Sequence, residues 1–106
     1  MSSSENNRLP EYKTFQEASK LALVEDKPIL LDYWLGSIDK SVLIGVTQTI
    51  VDDKEVKESV LVRSEDEYTS PIAKIFKSGN EYIIMTENSI YIVDAEIPKK
   101  RIDRST

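Results

Sequence analysis

The sequence predicts an α+β domain in which one N-terminal helix packs on a twisted antiparallel sheet, or on a small partly open β-barrel, of about five to six strands. One segment near the N-terminus has the apolar spacing of a helix, and a series of short apolar or alternating segments follows it. No second segment with helical spacing lies between these strands, as a parallel crossover would require. The 106 residues, 40% of them apolar and 31% charged, suit a single folded domain.

The helix is predicted to begin at Thr14. Thr14 and Glu17 have the spacing of a capping box, in which each side chain bonds to a free backbone N–H of the first turn. Pro28 is expected to end the helix, because proline disfavours helical geometry in the residue before it. The buried stripe has three- and four-residue spacing and consists of Phe15, Ala18, Leu21 and Ala22.

Residues 29–35 form an almost wholly apolar run after Pro28, which predicts a central strand. Residues 41–51 alternate between apolar and polar types, which is typical of a strand with one solvated face. The alternation resumes over residues 56–63 after Asp52 and Asp53, so we expect a hairpin.

Three further β-rich segments, separated by short turns, predict a meander over residues 72–77, 81–86 and 89–93. The domain is therefore predicted to span residues 12–97. Residues 1–11 are polar and are expected to form a flexible tail. Residues 98–106 are expected to form a basic tail that contains Lys99, Lys100, Arg101 and Arg104.

The composition makes most catalytic chemistry unlikely. Without cysteine or histidine there is no thiol nucleophile, no zinc–thiolate site and no imidazole base, so we expect neither an enzyme nor a cofactor. The net charge of −5 argues against nucleic-acid binding. No apolar run is long enough for a bilayer, and no secretory signal is recognised, so we expect a cytoplasmic protein without a membrane partner.

The first functional hypothesis is a noncatalytic interaction module, such as a small accessory or inhibitory protein, whose partner is another protein. It would bind through a sheet edge or through the acidic loop at residues 64–71, and self-association as a homo-oligomer is a variant. The candidate partner-binding residues are Glu65, Asp66, Glu67 and Tyr68. Consecutive carboxylates point in different directions, so we interpret them as solvated charges and not as metal ligands.

The second hypothesis is a small-ligand or nucleotide sensor. Its pocket would lie near Trp34 and two tyrosines on facing strands, Tyr82 and Tyr91, which could also be ordinary cross-strand packing partners. Asp32 completes this set, because a carboxylate in an apolar strand must be paired or shifted in pKa if it is buried. The alternative places Asp32 at a solvated edge, with Trp34 on the less buried face. An enzyme using Asp32 ranks lowest.

Overall fold

The computed structural model describes residues 8–102 and confirms the α+β class. Within these residues there are two helices and seven strands. In chain order they are α1 (Tyr12–Glu25), β1 (Ile29–Leu30), α2 (Trp34–Ile38), β2 (Leu43–Val51), β3 (Lys54–Val62), β4 (Ile72–Ser78), β5 (Glu81–Thr86), β6 (Ile90–Asp94) and β7 (Lys99–Arg101).

The strands form two open sheets and do not close into a barrel. The first, which we call the meander sheet, has the order β1-β6-β5-β4, and the second, the hairpin sheet, has the order β3-β2-β7. The antiparallel pairs β2–β3, β4–β5 and β5–β6 confirm the predicted hairpin and meander. The short strands β1 and β7 each add a parallel pair, to β6 and β2 respectively.

The meander sheet separates two hydrophobic cores, because successive side chains of β5 point to opposite faces. Ile83 and Met85 pack with Ala18 of α1 and with Trp34 on one face. Ile84 packs on the other face, between the two sheets. This inter-sheet core contains Tyr33, Val42, Ile44, Leu61, Ile84, Val93 and Ile97.

The predicted capping box at the start of α1 is wrong, because the helix is capped three residues before Thr14 and begins at Tyr12. Glu11 is the N-cap residue, and its backbone oxygen accepts the Thr14 N–H at 3.0 Å. The Thr14 side chain is buried, and its hydroxyl lies 3.3 Å from the hydroxyl of Ser78. Thr14 therefore connects α1 to the end of β4. The helix does end before Pro28, as predicted.

The predicted central strand over residues 29–35 is also wrong. Only Ile29 and Leu30 are paired, and they form an edge strand beside β6. The chain then turns into α2, where the Trp34 N–H donates to the backbone oxygen of Leu31 at 3.1 Å. Tyr33 is buried in the inter-sheet core and Trp34 in the helix-covered core. A turn that contributes side chains to both cores has a continuous apolar sequence, as a central strand does. This similarity explains why the sequence predicted a strand here.

The predicted N-terminal tail differs from the structure over residues 8–11. Arg8 donates to the Glu81 carboxylate and to the Asp94 carboxylate, both at 3.3 Å. Pro10 is buried, and the Glu11 backbone N–H donates to Glu81 at 3.1 Å. These residues pack on the end of the meander sheet because the buried Glu81 carboxylate needs hydrogen-bond donors. Residues 1–7 lie outside the described residues.

The basic C-terminal segment also departs from the prediction, since Lys99–Arg101 forms β7. The Ile102 N–H continues the pairing by donating to the backbone oxygen of Val46 at 2.9 Å. A Cβ atom on Gly45 would lie only 2.5 Å from the Ile102 side chain, so the glycine makes this approach possible. Backbone pairing needs no apolar pattern, which is why the composition did not indicate a strand. Arg104 lies outside the described residues.

Candidate functional site

A groove of about 610 Å³ lies between α1 and the β4–β5 hairpin. Residues of α1 that are three and four positions apart line one side, because they share one helix face. Val24 is 78% exposed and Phe76 is 39% exposed, so apolar surface is open to solvent here. The apolar lining consists of Leu21, Val24, Phe76 and Ile83.

The border of the groove is mainly cationic, although the chain has a net charge of −5. Lys13, Lys20 and Lys77 line it together with a single carboxylate, Glu17. The Lys20 ammonium lies 3.8 Å from the Glu17 carboxylate. Within residues 8–102, Lys13 and Lys77 have no ion-pair partner. The groove therefore has a local surplus of positive charge beside its apolar surface.

The strand that borders the groove, β4, is the last strand of the meander sheet. Among the described strands it pairs with β5 alone, so its other edge has no strand partner. Phe76 lies opposite Ile83, which faces α1, so Phe76 is directed towards the groove. Ile75 lies opposite Ile84 and is directed to the other face. A strand added to this edge would place every second side chain over the groove.

The other sheet edges in residues 8–102 are less suited to pairing with an added strand. The edge strands β1 and β7 have two and three residues. The edge strand β3 has nine residues, but residues 54–58 are exposed and four of these five are charged. β3 also lies away from the groove, because none of its residues lines it. Among the edge strands of residues 8–102, β4 is therefore the best candidate for pairing with an added strand.

The acidic loop has a defined backbone conformation. The Arg63 N–H donates to the Glu67 backbone oxygen at 2.8 Å, and the Glu67 N–H donates to the Ser64 backbone oxygen at 3.3 Å. The buried hydroxyl of Thr69 accepts the Leu61 N–H at 3.0 Å and holds the end of the loop. All four candidate partner-binding side chains, Glu65, Asp66, Glu67 and Tyr68, are exposed. The loop therefore presents a preformed acidic surface.

The structure does not bring Trp34 together with the two strand tyrosines. Trp34 is only 3% exposed and belongs to the helix-covered core, whereas Tyr82 and Tyr91 pack against the inter-sheet core. The Trp34 indole N–H donates to the Arg8 backbone oxygen at 2.7 Å, and the Arg8 guanidinium lies 4.9 Å from its ring centroid. Asp32 is exposed in the turn before α2. The four predicted ligand-binding residues therefore do not share one pocket.

Asp32 and Tyr91 instead lie near a residue that the sequence did not single out, Tyr33. The Tyr33 and Tyr91 rings meet edge to face, with centroids 5.3 Å apart. The Arg63 guanidinium lies 5.7 Å from the Tyr33 ring centroid and forms an ion pair with Glu67 at 3.9 Å. This arrangement joins the acidic loop to the inter-sheet core.

Burial changes the titration of these two tyrosines. Desolvation, followed by the nearby Tyr91, Asp32 and Glu67, raises the pKa of Tyr33 to about 12, while Arg63 opposes the shift. Desolvation and then the Asp32 charge also raise the pKa of Tyr91. Like an unperturbed tyrosine, both side chains are neutral near pH 7, and their edge-to-face contact against the inter-sheet core indicates a packing role.

Within residues 8–102 no three carboxylates converge in a way that could hold a metal ion, and the two carboxylates at residues 52–53 and the three at residues 65–67 are exposed. Neither helix is long and apolar enough to cross a bilayer.

The groove was missed at the sequence level because its residues belong to two distant segments. A signal was present in α1, where Leu23 and Val24 fall outside the predicted buried stripe and are exposed. Apolar residues beyond the stripe indicate either a wider buried face or a surface for a partner. The sequence could not place them beside Phe76.

No family model, curated protein or solved structure matches this chain.

Proposed function

We propose that this protein is a noncatalytic interaction module, a small accessory or inhibitory protein, that binds another protein through the edge of β4. The observation that carries the proposal is the position of this seven-residue terminal strand beside an apolar groove. Catalysis receives no support from the residues near the groove, which are lysines, one glutamate, serine, glycine and apolar side chains without histidine or cysteine. A cytoplasmic location is part of the same proposal.

Strand addition provides both affinity and selectivity. An incoming strand forms main-chain hydrogen bonds with the free edge, and side chains at alternate positions enter neighbouring pockets. Burial of Phe76 and Val24 by the partner would add hydrophobic free energy at about 25 cal/mol per Å² of apolar surface. The acidic loop remains the other candidate surface, because its carboxylates are exposed on a fixed backbone.

Site-specific photocrosslinking in the native cell distinguishes these surfaces. A benzophenone amino acid replaces Phe76 beside β4, Tyr68 in the acidic loop, or Val56 on the exposed half of β3. All three side chains are at least partly exposed, so each replacement is expected to leave the fold intact. We expect one crosslinked partner at position 76 and none at position 56.

Each other outcome changes the proposal in a defined way. A partner captured at position 68 and not at 76 would move the binding surface to the acidic loop. A product with twice the mass of the chain would identify self-association. Absence of any crosslink at positions 76 and 68 would overturn the interaction-module function.

A further inference from the structure

We infer that the partner segment is an extended strand of a second protein, with apolar side chains at alternate positions and aspartate or glutamate beside them. This inference rests on the proposed function and specifies the ligand of the module, an acidic and apolar peptide segment. It follows from three properties that meet at one place: a free strand edge, an apolar groove and a cationic border.

The free edge determines that the segment is extended. Regular pairing between β4 and β5 runs over residues 74–78, beyond a register shift near the start of β4. Five residues of strand span about 17 Å, which limits the partner segment to about five paired residues. Two or three of its side chains would then point to the groove side.

The groove determines what those side chains are. Phe76 and Ile83 from the sheet, with Leu21 and Val24 from α1, offer a surface that only apolar groups can cover without losing hydrogen bonds to water. Val24 and Phe76 leave the groove open to solvent, so it suits branched or aromatic side chains of moderate size better than one deeply buried anchor.

The lysines determine the charge of the partner. Lys13 lies on α1, and Lys77 lies on β4, opposite Tyr82, so alternation directs its side chain to the face of β4 that carries Ile75. Neither lysine has an ion-pair partner in residues 8–102, and an added strand would present side chains to both faces. Carboxylates on the partner would meet these ammonium groups, whereas lysine or arginine would be repelled. The Glu11 carboxylate lies close to Gly79, at the same end of the groove as Lys13, and offsets part of the positive charge there. The acidic residues of the partner should therefore lie near Lys20 and Lys77, away from Glu11.

The same charges disfavour a second copy of this edge as the occupant. β4 carries Lys74 and Lys77, and two such strands would bring like charges together across the new pair. Lysines on an edge strand are a common means of preventing self-pairing. The edge is therefore selective for an acidic strand.

Selection from a random nine-residue peptide library displayed on phage tests the inference with the full-length protein. We expect enriched peptides to combine alternating apolar residues with Asp or Glu. A triple variant, Lys13→Glu, Lys20→Glu and Lys77→Glu, should instead enrich basic peptides. The matched control, Lys54→Glu, Lys57→Glu and Lys99→Glu, has the same net charge and should retain the acidic preference.

Calorimetry with one selected synthetic peptide gives the magnitude. Replacing its carboxylates by amides should weaken binding to the wild-type protein about tenfold, since exposed ion pairs contribute modestly each. The same peptide should protect β4 amides from hydrogen exchange. If the triple variant loses its circular dichroism signal, Lys77→Glu alone serves in its place.

Failure of the inference is distinguishable from failure of the proposed function. Enrichment without acidic residues, equal loss of preference in the control variant, or no enrichment at all would overturn the acidic-strand inference. A crosslink at position 76 would still support the interaction module in each of these cases.

Discussion

The β2–β3 and β4–β5 hairpins have the same local design but different surroundings. Each joins two antiparallel strands through a two-residue turn, Asp52–Asp53 in the first and Gly79–Asn80 in the second. In the second hairpin, β5 is buried along almost its whole length. In the first, residues 50–58 around the turn are exposed, and Ile50 is 77% accessible although it is a strand isoleucine.

The difference shows that a strand of this fold is buried only where another element packs on it, whatever its own sequence pattern. α1 and the hairpin sheet enclose β5 from both faces, whereas residues 50–58 at the distal end of β2–β3 are exposed. The alternating pattern over residues 41–51 continues from the covered into the uncovered half, where Ile50 falls on the same face as Val42, Ile44 and Val46. Periodicity therefore predicts the strand, but it does not predict which part of the strand another element covers.

The largest predicted effect contrasts one isoleucine from each hairpin. Ile84→Ala, in the inter-sheet core at 0% exposure, should lower the free energy of unfolding by about 2–5 kcal/mol. Ile50→Ala should change it by no more than about 0.5 kcal/mol, because the side chain is already in water. Urea denaturation of both variants measures the contrast. Equal losses would mean that the exposed half is covered in solution, for example by a second copy.

The second prediction concerns the core that joins the two hairpins. Since the pKa of Tyr33 is raised from 10.0 to about 12, the folded state favours the neutral phenol. Its contribution to stability is complete below pH 10 and is lost as the pH rises towards about 12. The melting temperature should therefore fall over this interval.

Tyr33→Phe provides the control, because it keeps the ring and removes the ionisable hydroxyl. The variant should lose the ultraviolet absorbance step of a tyrosinate near pH 12, and its melting temperature should fall less over the same interval. An identical fall in both proteins would assign the alkaline transition to other groups.

The smallest predicted effects have opposite signs in the two turns. Gly79 has a φ of 61°, so Gly79→Ala should destabilise the protein by roughly 1 kcal/mol. Asp53 has a φ of 64° without being a glycine, so Asp53→Gly should stabilise it by roughly 0.5 kcal/mol. Thermal melts of the two variants measure both changes. Two changes of the same sign would contradict this account of the turns.

The sequence predicted the local structure correctly where a residue pattern is compatible with only one kind of secondary structure. The hairpin and the meander were predicted because alternation and turn residues both indicate antiparallel strands. The run at residues 29–35 failed because Tyr33 and Trp34 are buried in different cores, which a linear pattern cannot express. Thr14 was misassigned because a buried threonine that bonds across to Ser78 resembles a cap in sequence.

The candidate site was less predictable than the fold. A sheet edge was expected in general, but identifying β4 requires the strand order, which the sequence does not contain. The groove requires Lys13 and Lys77, which are 64 positions apart in sequence, to lie beside the same surface. The acidic loop was recognised because its residues are consecutive, and their exposure depends on no distant element.

The contact between Arg8 and Trp34 also gives the protein an internal optical reporter. Trp34 is the single tryptophan of the sequence, and residue 8 covers it with both a guanidinium and a backbone carbonyl. Its fluorescence emission therefore records whether residues 8–11 are docked on the meander sheet, without any added label. A fragment designed to begin at residue 12 would lose this cover and two donors to the buried Glu81, so the folding unit extends at least to Arg8.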